Sequence, residues 1–106
     1  MKAIIAALVF GLVASAHADD RIDMLCKGKD IVKPSVCVQV IKEQLDAAYA
    51  WGEENAHLIK RHKLVKREEF LQSEPMLRLC KSAPDHAKCE MFRSYLVEEY
   101  DAGIGL

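Results

Sequence analysis

The residues whose chemistry could matter most are four cysteines, Cys26, Cys37, Cys80 and Cys89, and three of the four histidines, His57, His62 and His86, which lie between the first cysteine and the last. A cysteine acts as a nucleophile only as its thiolate, and as a metal ligand only where partners stand at suitable spacing. His57 and His62 are five residues apart, which puts them on different faces of a helix. Cys80, His86 and Cys89 could form part of a metal site, but their spacing is unlike the close pairs of zinc knuckles. There is no Cys-x-x-Cys-His for covalent haem and no glycine-rich phosphate loop. The adjacent carboxylates Glu68-Glu69 and Glu98-Glu99 diverge on a helix and read as solvated faces. We therefore expect no catalytic residue, no metal and no cofactor, and a protein that is not an enzyme.

The remaining chemistry of the cysteines is the disulfide, and the N-terminus supports it. Lys2 is followed by an uncharged apolar run from Ala3 to Ala14, then Ser15-Ala16-His17-Ala18 and the charged Asp19-Asp20. This is the order of a secretory signal peptide with an A-x-A cleavage site. The run is shorter than the roughly 20 residues that span a bilayer. Residues 1–18 are thus expected to be removed, leaving residues 19–106 as a single helical domain exported to the bacterial periplasm. Fifteen Lys and Arg stand against 16 Asp and Glu, a formal net charge of −1 that loss of Lys2 takes to about −2. That balance does not call for nucleic acid or an anionic membrane. No second apolar run is long enough for stable membrane insertion.

An even cysteine count in a small exported chain reads as a disulfide framework, with three connectivities open. Local context favours Cys26–Cys37 and Cys80–Cys89. Each pair brackets a segment that reads as a loop between helices, Lys27 to Pro34 and Lys81 to Lys88. Clipping a loop of about ten residues stabilises by roughly 2–3 kcal/mol in the chain-entropy account. The two segments also resemble each other, since Leu25-Cys26-Lys27 opens one and Leu79-Cys80-Lys81 the other. Two copies are too few for a solenoid, but a helix, clipped loop and helix used twice is a plausible plan.

The elements that would position these residues are all helical. Asp19 to Cys26 is a short helix with Ile22 and Leu25 on one face. Pro34 opens a long helix, where its missing amide hydrogen costs nothing. Val38, Ile41, Leu45, Ala48 and Gly52 form its core stripe, and it is expected to reach about His62, with Gly52 weakening its middle by about 1 kcal/mol. A short helix over Lys66 to Gln72 carries Phe70 and Leu71. Ser73 is the expected N-cap of another, with Pro75 in its first turn. Asp85 should cap a last helix running to about Tyr100, with Gly103 as its stop and Ile104 to Leu106 as a loose tail. The fold class is all-α, a small bundle of four to five helices with two disulfide-clipped interhelical loops.

Between the long helix and the next lies a basic cluster of Lys60, Arg61, Lys63, Lys66 and Arg67, with His62 among them and Leu64-Val65 interrupting it. One reading is a patch for an acidic partner or phosphate. The simpler reading, which we favour, is that cations gather where a helix ends on unpaired carbonyls.

The run Leu25-Cys26 to Cys37-Val38-Gln39-Val40-Ile41-Lys42-Glu43-Gln44-Leu45-Asp46-Ala47 resembles the N-terminal half of the Rap/Tai class of type VI secretion immunity proteins. Cys37, Ile41, Asp46 and Ala47 match that register, whereas Val40 replaces an aromatic residue and Glu43 a glycine. The class's later Cys-x-Pro and C-terminal cysteine are absent as such, and the likeness covers roughly a third of residues 19–106. The resemblance implies an exported helical protein that binds a peptidoglycan amidase toxin, a cell-wall-degrading effector, and blocks its cleft, commonly as a homodimer. It implies that the clipped loops make the contact through Lys29, Asp30, Asp85 and His86. Those loops equally fit a purely connecting role.

Three classes of function stay open at this level. The first is a toxin inhibitor or immunity protein with one protein partner. The second is a periplasmic stress chaperone or an accessory protein of a secretion or conjugation apparatus. The third is a small-molecule or metal binder, for which no ligand set is visible.

Overall fold

The computed structural model describes residues 20–106, so the signal-peptide reading of residues 1–18 lies outside the described residues. Among the described residues five helices follow one another: α1 over residues 20–25, α2 over Pro34–Glu54, α3 over Lys60–Leu71, α4 over Glu74–Arg78 and α5 over His86–Ile104. Among the described residues there is no strand. The all-α expectation holds, as do both disulfides: Cys26–Cys37 with Cα atoms 5.8 Å apart and Cys80–Cys89 with 5.6 Å. The chain divides into two compact units, the first ending at Lys42 and the second running from Glu43 to Leu106.

Among the described residues of the first unit the buried ones are Ile22 and Leu25, on one face of α1, and Cys26 at its end. The disulfide carries the chain from Cys26 to Cys37, the fourth residue of α2, whose amide donates to the Lys33 carbonyl at 3.1 Å. The second unit repeats this arrangement. Cys80 is buried just beyond α4, Cys89 is the fourth residue of α5, and its amide donates to the Asp85 carbonyl at 3.1 Å. In each case the disulfide ties the end of a short helix to the first turn of a long one, at a sequence separation of 11 or 9.

The second unit is organised by the approach of α2 to α5. Leu45, Ala48 and Gly52 are the buried stripe of this part of α2; Leu96, Tyr100, Gly103 and Ile104 are that of α5. A Cβ on Gly52 would run into the Tyr100 carbonyl and lie 2.8 Å from the Ile104 nitrogen. A Cβ on Gly103 would meet the Tyr49 carbonyl and lie 3.0 Å from the Glu53 nitrogen. The two glycines face each other's backbone, and glycine is the residue that leaves room for it. Gly52 therefore marks a close helix approach, one of the two roles its position in the helix suggested.

Beside this crossing, Phe70 of α3 stacks on Tyr100 with centroids 4.2 Å apart, and Trp51 meets both rings edge-on at 5.1 and 6.2 Å. The Asn55 side-chain amide donates to the Trp51 carbonyl and to the Tyr100 hydroxyl, each at 3.4 Å. That hydroxyl donates in turn to the Lys66 carbonyl at 3.2 Å. Arg67 grips Asp101 with both ends of its guanidinium, Nε to Oδ1 at 2.7 Å and Nη2 to Oδ2 at 3.2 Å, and the bond holds Arg67 further above its already high ordinary pKa. These contacts set α3 against the end of α2 and against α5.

Several helix boundaries differ from those the sequence suggests. α2 stops at Glu54 rather than near His62, because Asn55 satisfies a terminal carbonyl and the chain turns through hydrogen bonds from Asn55 to Gly52 and from Leu58 to Asn55. α3 begins at Lys60, six residues before the expected start at Lys66. Ser73 occupies the N-cap position of α4 but makes no cap bond; its hydroxyl donates backwards to the Phe70 carbonyl at 2.7 Å. Asp85 does cap α5, accepting from the Lys88 amide at 3.0 Å. α5 continues past Tyr100, Gly103 lies inside it, and the stop is Gly105 in the left-handed region at φ 84°. Ile104 is fully buried rather than part of a loose tail.

Gly52→Ala or Gly103→Ala should lower the urea midpoint by the equivalent of about 1–3 kcal/mol, the usual cost of overpacking, against a helix-propensity gain of under about 1 kcal/mol; unchanged midpoints would show that the backbones are not in contact. Burial raises the pKa of Tyr100 above its ordinary value, with the Asn55 hydrogen bond opposing in part. A raised folded-state pKa of an acid favours its neutral form, so the associated stability is present below the unfolded-state pKa of about 10 and is lost as pH climbs through the folded-state value. Urea melts at increasing alkaline pH should show that loss in the wild type, and Tyr100→Phe should flatten it.

Candidate functional site

The two disulfides shape what the surface offers. In the first unit, the loop from Lys27 to Lys33 is closed by Cys26–Cys37 and turned by a hydrogen bond from the Ile31 amide to the Gly28 carbonyl at 3.3 Å. Clipped in this way, it stands beside the first turns of α2 and forms an open groove of about 480 Å³. Ile31, Val32, Val36, Val40 and Ile41 supply its apolar lining, with Cys37 among them, and Asp30 and Lys33 supply the charged part. Val36 and Val40 are four apart and so share a helix face. Val32 is 88% exposed and Val36 and Val40 about half exposed, so this valine set is presented to solvent rather than folded into a core. A groove of this kind suits an apolar segment of a protein partner.

Of the residues assigned to partner binding, Lys29 and Asp30 lie in the exposed turn of this first loop, and Asp30 also lines the groove. Asp85 and His86 belong to the second unit. Asp85 spends its carboxylate on the α5 cap, and His86 is exposed, with Nε2 3.8 Å from Glu90 Oε1. The second loop thus uses Asp85 to start a helix. The periodicity places Val38 and Ile41 in the core stripe of α2, whereas the structure leaves Val38 exposed together with Val36 and Val40. Val36 and Val40 repeat at four residues in the sequence, but neighbouring residues alone do not show which side of the helix is covered.

The basic cluster sits elsewhere than expected. Lys60, Arg61, His62 and Lys63 form the first turn of α3, not the last turn of α2. Cations there oppose the helix dipole, so the helix-end explanation does not apply. Ile59 stands at the N-cap position with no side-chain bond. Lys66 pairs with Glu69 at 3.2 Å and Arg67 with Asp101, while Lys60, Arg61 and Lys63 have no acidic partner among the described residues.

All four cysteines are held in disulfides, and among the described residues no group of three His, Cys, Asp or Glu side chains could hold a metal ion. The adjacent carboxylates diverge: Glu68 accepts from Gln72 and Glu69 from Lys66. No helix among the described residues is long and apolar enough to cross a membrane.

Comparison with known proteins corrects the family reading. No curated protein and no solved structure matches the chain. One family model does, over residues 1–106, and it is not an immunity family. The Rap/Tai resemblance and the immunity, toxin-inhibitor and cell-wall-effector functions drawn from it are therefore set aside, and the chaperone and secretion-accessory alternatives gain no support. The likeness consists of a Leu-Cys, a short loop and a second cysteine opening a helix. That pattern is what any disulfide-clipped loop entering an amphipathic helix requires, as its near-repetition at Cys80 and Cys89 shows. A family named for the modification of an enzyme carries over one coarse expectation, that the partner is a protein. Matched along its whole length, the chain belongs to the Valyl--tRNA ligase modifier family.

Proposed function

We propose that this protein binds a valyl-tRNA ligase and alters its behaviour by occupying part of its surface, with no chemistry of its own. The observation that carries the reading is the family match over residues 1–106. What supports binding over catalysis is the distribution of side chains. The thiols are consumed in disulfides, and the valines of the first clipped loop and of α2 are exposed. A loop held by a disulfide loses less conformational freedom on docking, which favours affinity without new contacts.

The compartment is a separate proposal. The leader-like order of residues 1–18 and the two disulfides favour export to the periplasm, since disulfides persist in oxidising compartments. A valyl-tRNA ligase works where translation occurs, so export and ligase binding make opposite demands on location. Fractionation with thiol alkylation separates them. A chain shortened by its leader and refractory to alkylation in the periplasm supports export and points to a protein partner there. A full-length, alkylatable chain in the cytoplasm supports the ligase reading in place.

The direct test mixes the oxidised protein with the purified valyl-tRNA ligase of the cell that makes it. Co-elution at fixed stoichiometry in size-exclusion chromatography with light scattering is expected, together with a changed rate of valine charging or a changed resistance of the ligase to urea. A ligase of another amino-acid specificity should be unaffected. No co-elution at low-micromolar concentrations, with or without tRNA, would overturn the proposal.

A further inference from the structure

The helix α3 is built inside out. Its positions 63, 66, 67 and 70 recur at helical spacing and face the rest of the second unit: Phe70 is buried, and Lys63, Lys66 and Arg67 are half-buried. Two of its apolar residues, however, are on the other side. Leu64 and Val65 are 50% and 54% exposed, and Ile59, just before the helix, is 60% exposed. Lys60 and Arg61 lie one turn before Leu64 and Val65 and therefore on the same face, whose far end is Glu68 and Glu69, paired with Gln72 and Lys66. Neither has an acidic partner among the described residues, in a chain whose net charge is negative.

Two features of this face work against the folded chain in isolation. Exposed Ile, Leu and Val together lose the gain they would have from burial. Cations without acidic partners in a first helical turn oppose the helix dipole. Both costs are relieved by one kind of occupant, a surface with apolar residues at its centre and carboxylates beside them.

We propose that the outer face of α3, formed by Ile59, Lys60, Arg61, Leu64 and Val65, is the surface that docks on an acidic-edged apolar patch of the protein partner. This rests on the reading that the partner is a valyl-tRNA ligase. Charge complementarity selects an acidic neighbour for Lys60 and Arg61. The apolar centre selects a protein over a nucleic acid, because a phosphate backbone rewards cations but offers nothing to Leu64 and Val65. In such an interface the apolar anchors set the dissociation rate and the flanking charges set the association rate and its salt dependence.

The test compares three variants of the full chain with the wild type, by binding to the valyl-tRNA ligase across a range of salt and by urea unfolding. The first is Leu64→Asp with Val65→Asp, the second Lys60→Glu with Arg61→Glu, and the third Val36→Asp in the groove of the other unit. The first two should each weaken binding about tenfold or more, and the second should also lose most of the salt dependence. The charge reversal should meanwhile leave the urea midpoint unchanged or raise it, because acidic residues suit a first helical turn. Loss of binding alongside gain of stability separates docking from misfolding. Wild-type protein that fails to bind the ligase overturns the functional proposal itself. Wild-type binding that all three variants retain, or that only Val36→Asp loses, overturns the α3 surface and leaves the functional proposal standing. If only the charge reversal weakens binding, and only with tRNA present, the face is a phosphate contact and the proposal fails. It also fails if Leu64→Asp with Val65→Asp turns a dimer into monomers at unchanged ligase affinity.

Discussion

The second unit depends on two backbones coming closer than side chains permit. Where α2 crosses α5, Gly52 faces the carbonyl of Tyr100 and Gly103 faces that of Tyr49. The absence of two Cβ atoms brings the helices together, and that proximity places Trp51 and Tyr100 within edge-to-face distance. Once Tyr100 is there, its ring receives Phe70 and its hydroxyl receives Asn55 and reaches the Lys66 carbonyl. Arg67 and Asp101 add a bidentate ion pair one residue further along α3 and α5. The position of α3 is thus a consequence of the glycine crossing rather than of any preference of its own.

This dependence explains why α3 tolerates a poor local sequence. Its first turn is cationic, its N-cap position is Ile59, and its apolar residues Leu64 and Val65 point outward. Local physics disfavours a helix starting there. Tertiary contacts through Phe70, Lys66 and Arg67 hold it, and the outer face is released from any duty to the fold. Freed positions of that kind are where a small protein can carry recognition without disturbing its core.

The disulfides serve the same end by another route. Each joins a short helix to the fourth residue of a long one, so each loop is closed at its base. In the first unit the closed loop carries exposed apolar residues and a groove; in the second its polar residue Asp85 is used to start α5. One device has been put to two uses, presentation in one place and helix initiation in the other. For a chain with a modest core, covalent closure supplies order that burial alone would supply poorly.

Much of this was written in the sequence because the causes are local. Helical periodicity, Pro34 and Pro75 in first turns, Asp85 as a cap and loop-bracketing cysteines predict the helical class, most elements and both disulfides. These features act over one to three turns, so neighbouring residues suffice to read them. The end of α2, the start of α3, the extension of α5 through Gly103 to Ile104 and the outward side of Leu64 and Val65 were decided by tertiary structure. Each depends on a partner distant in the chain: Asn55 on Tyr100, Lys66 and Arg67 on α5, Gly103 on Tyr49. A glycine that ends a helix and a glycine that admits another helix look alike until the second helix is in place. The same limit governs the family reading, since the spacing of a clipped loop reports a local constraint that unrelated proteins share.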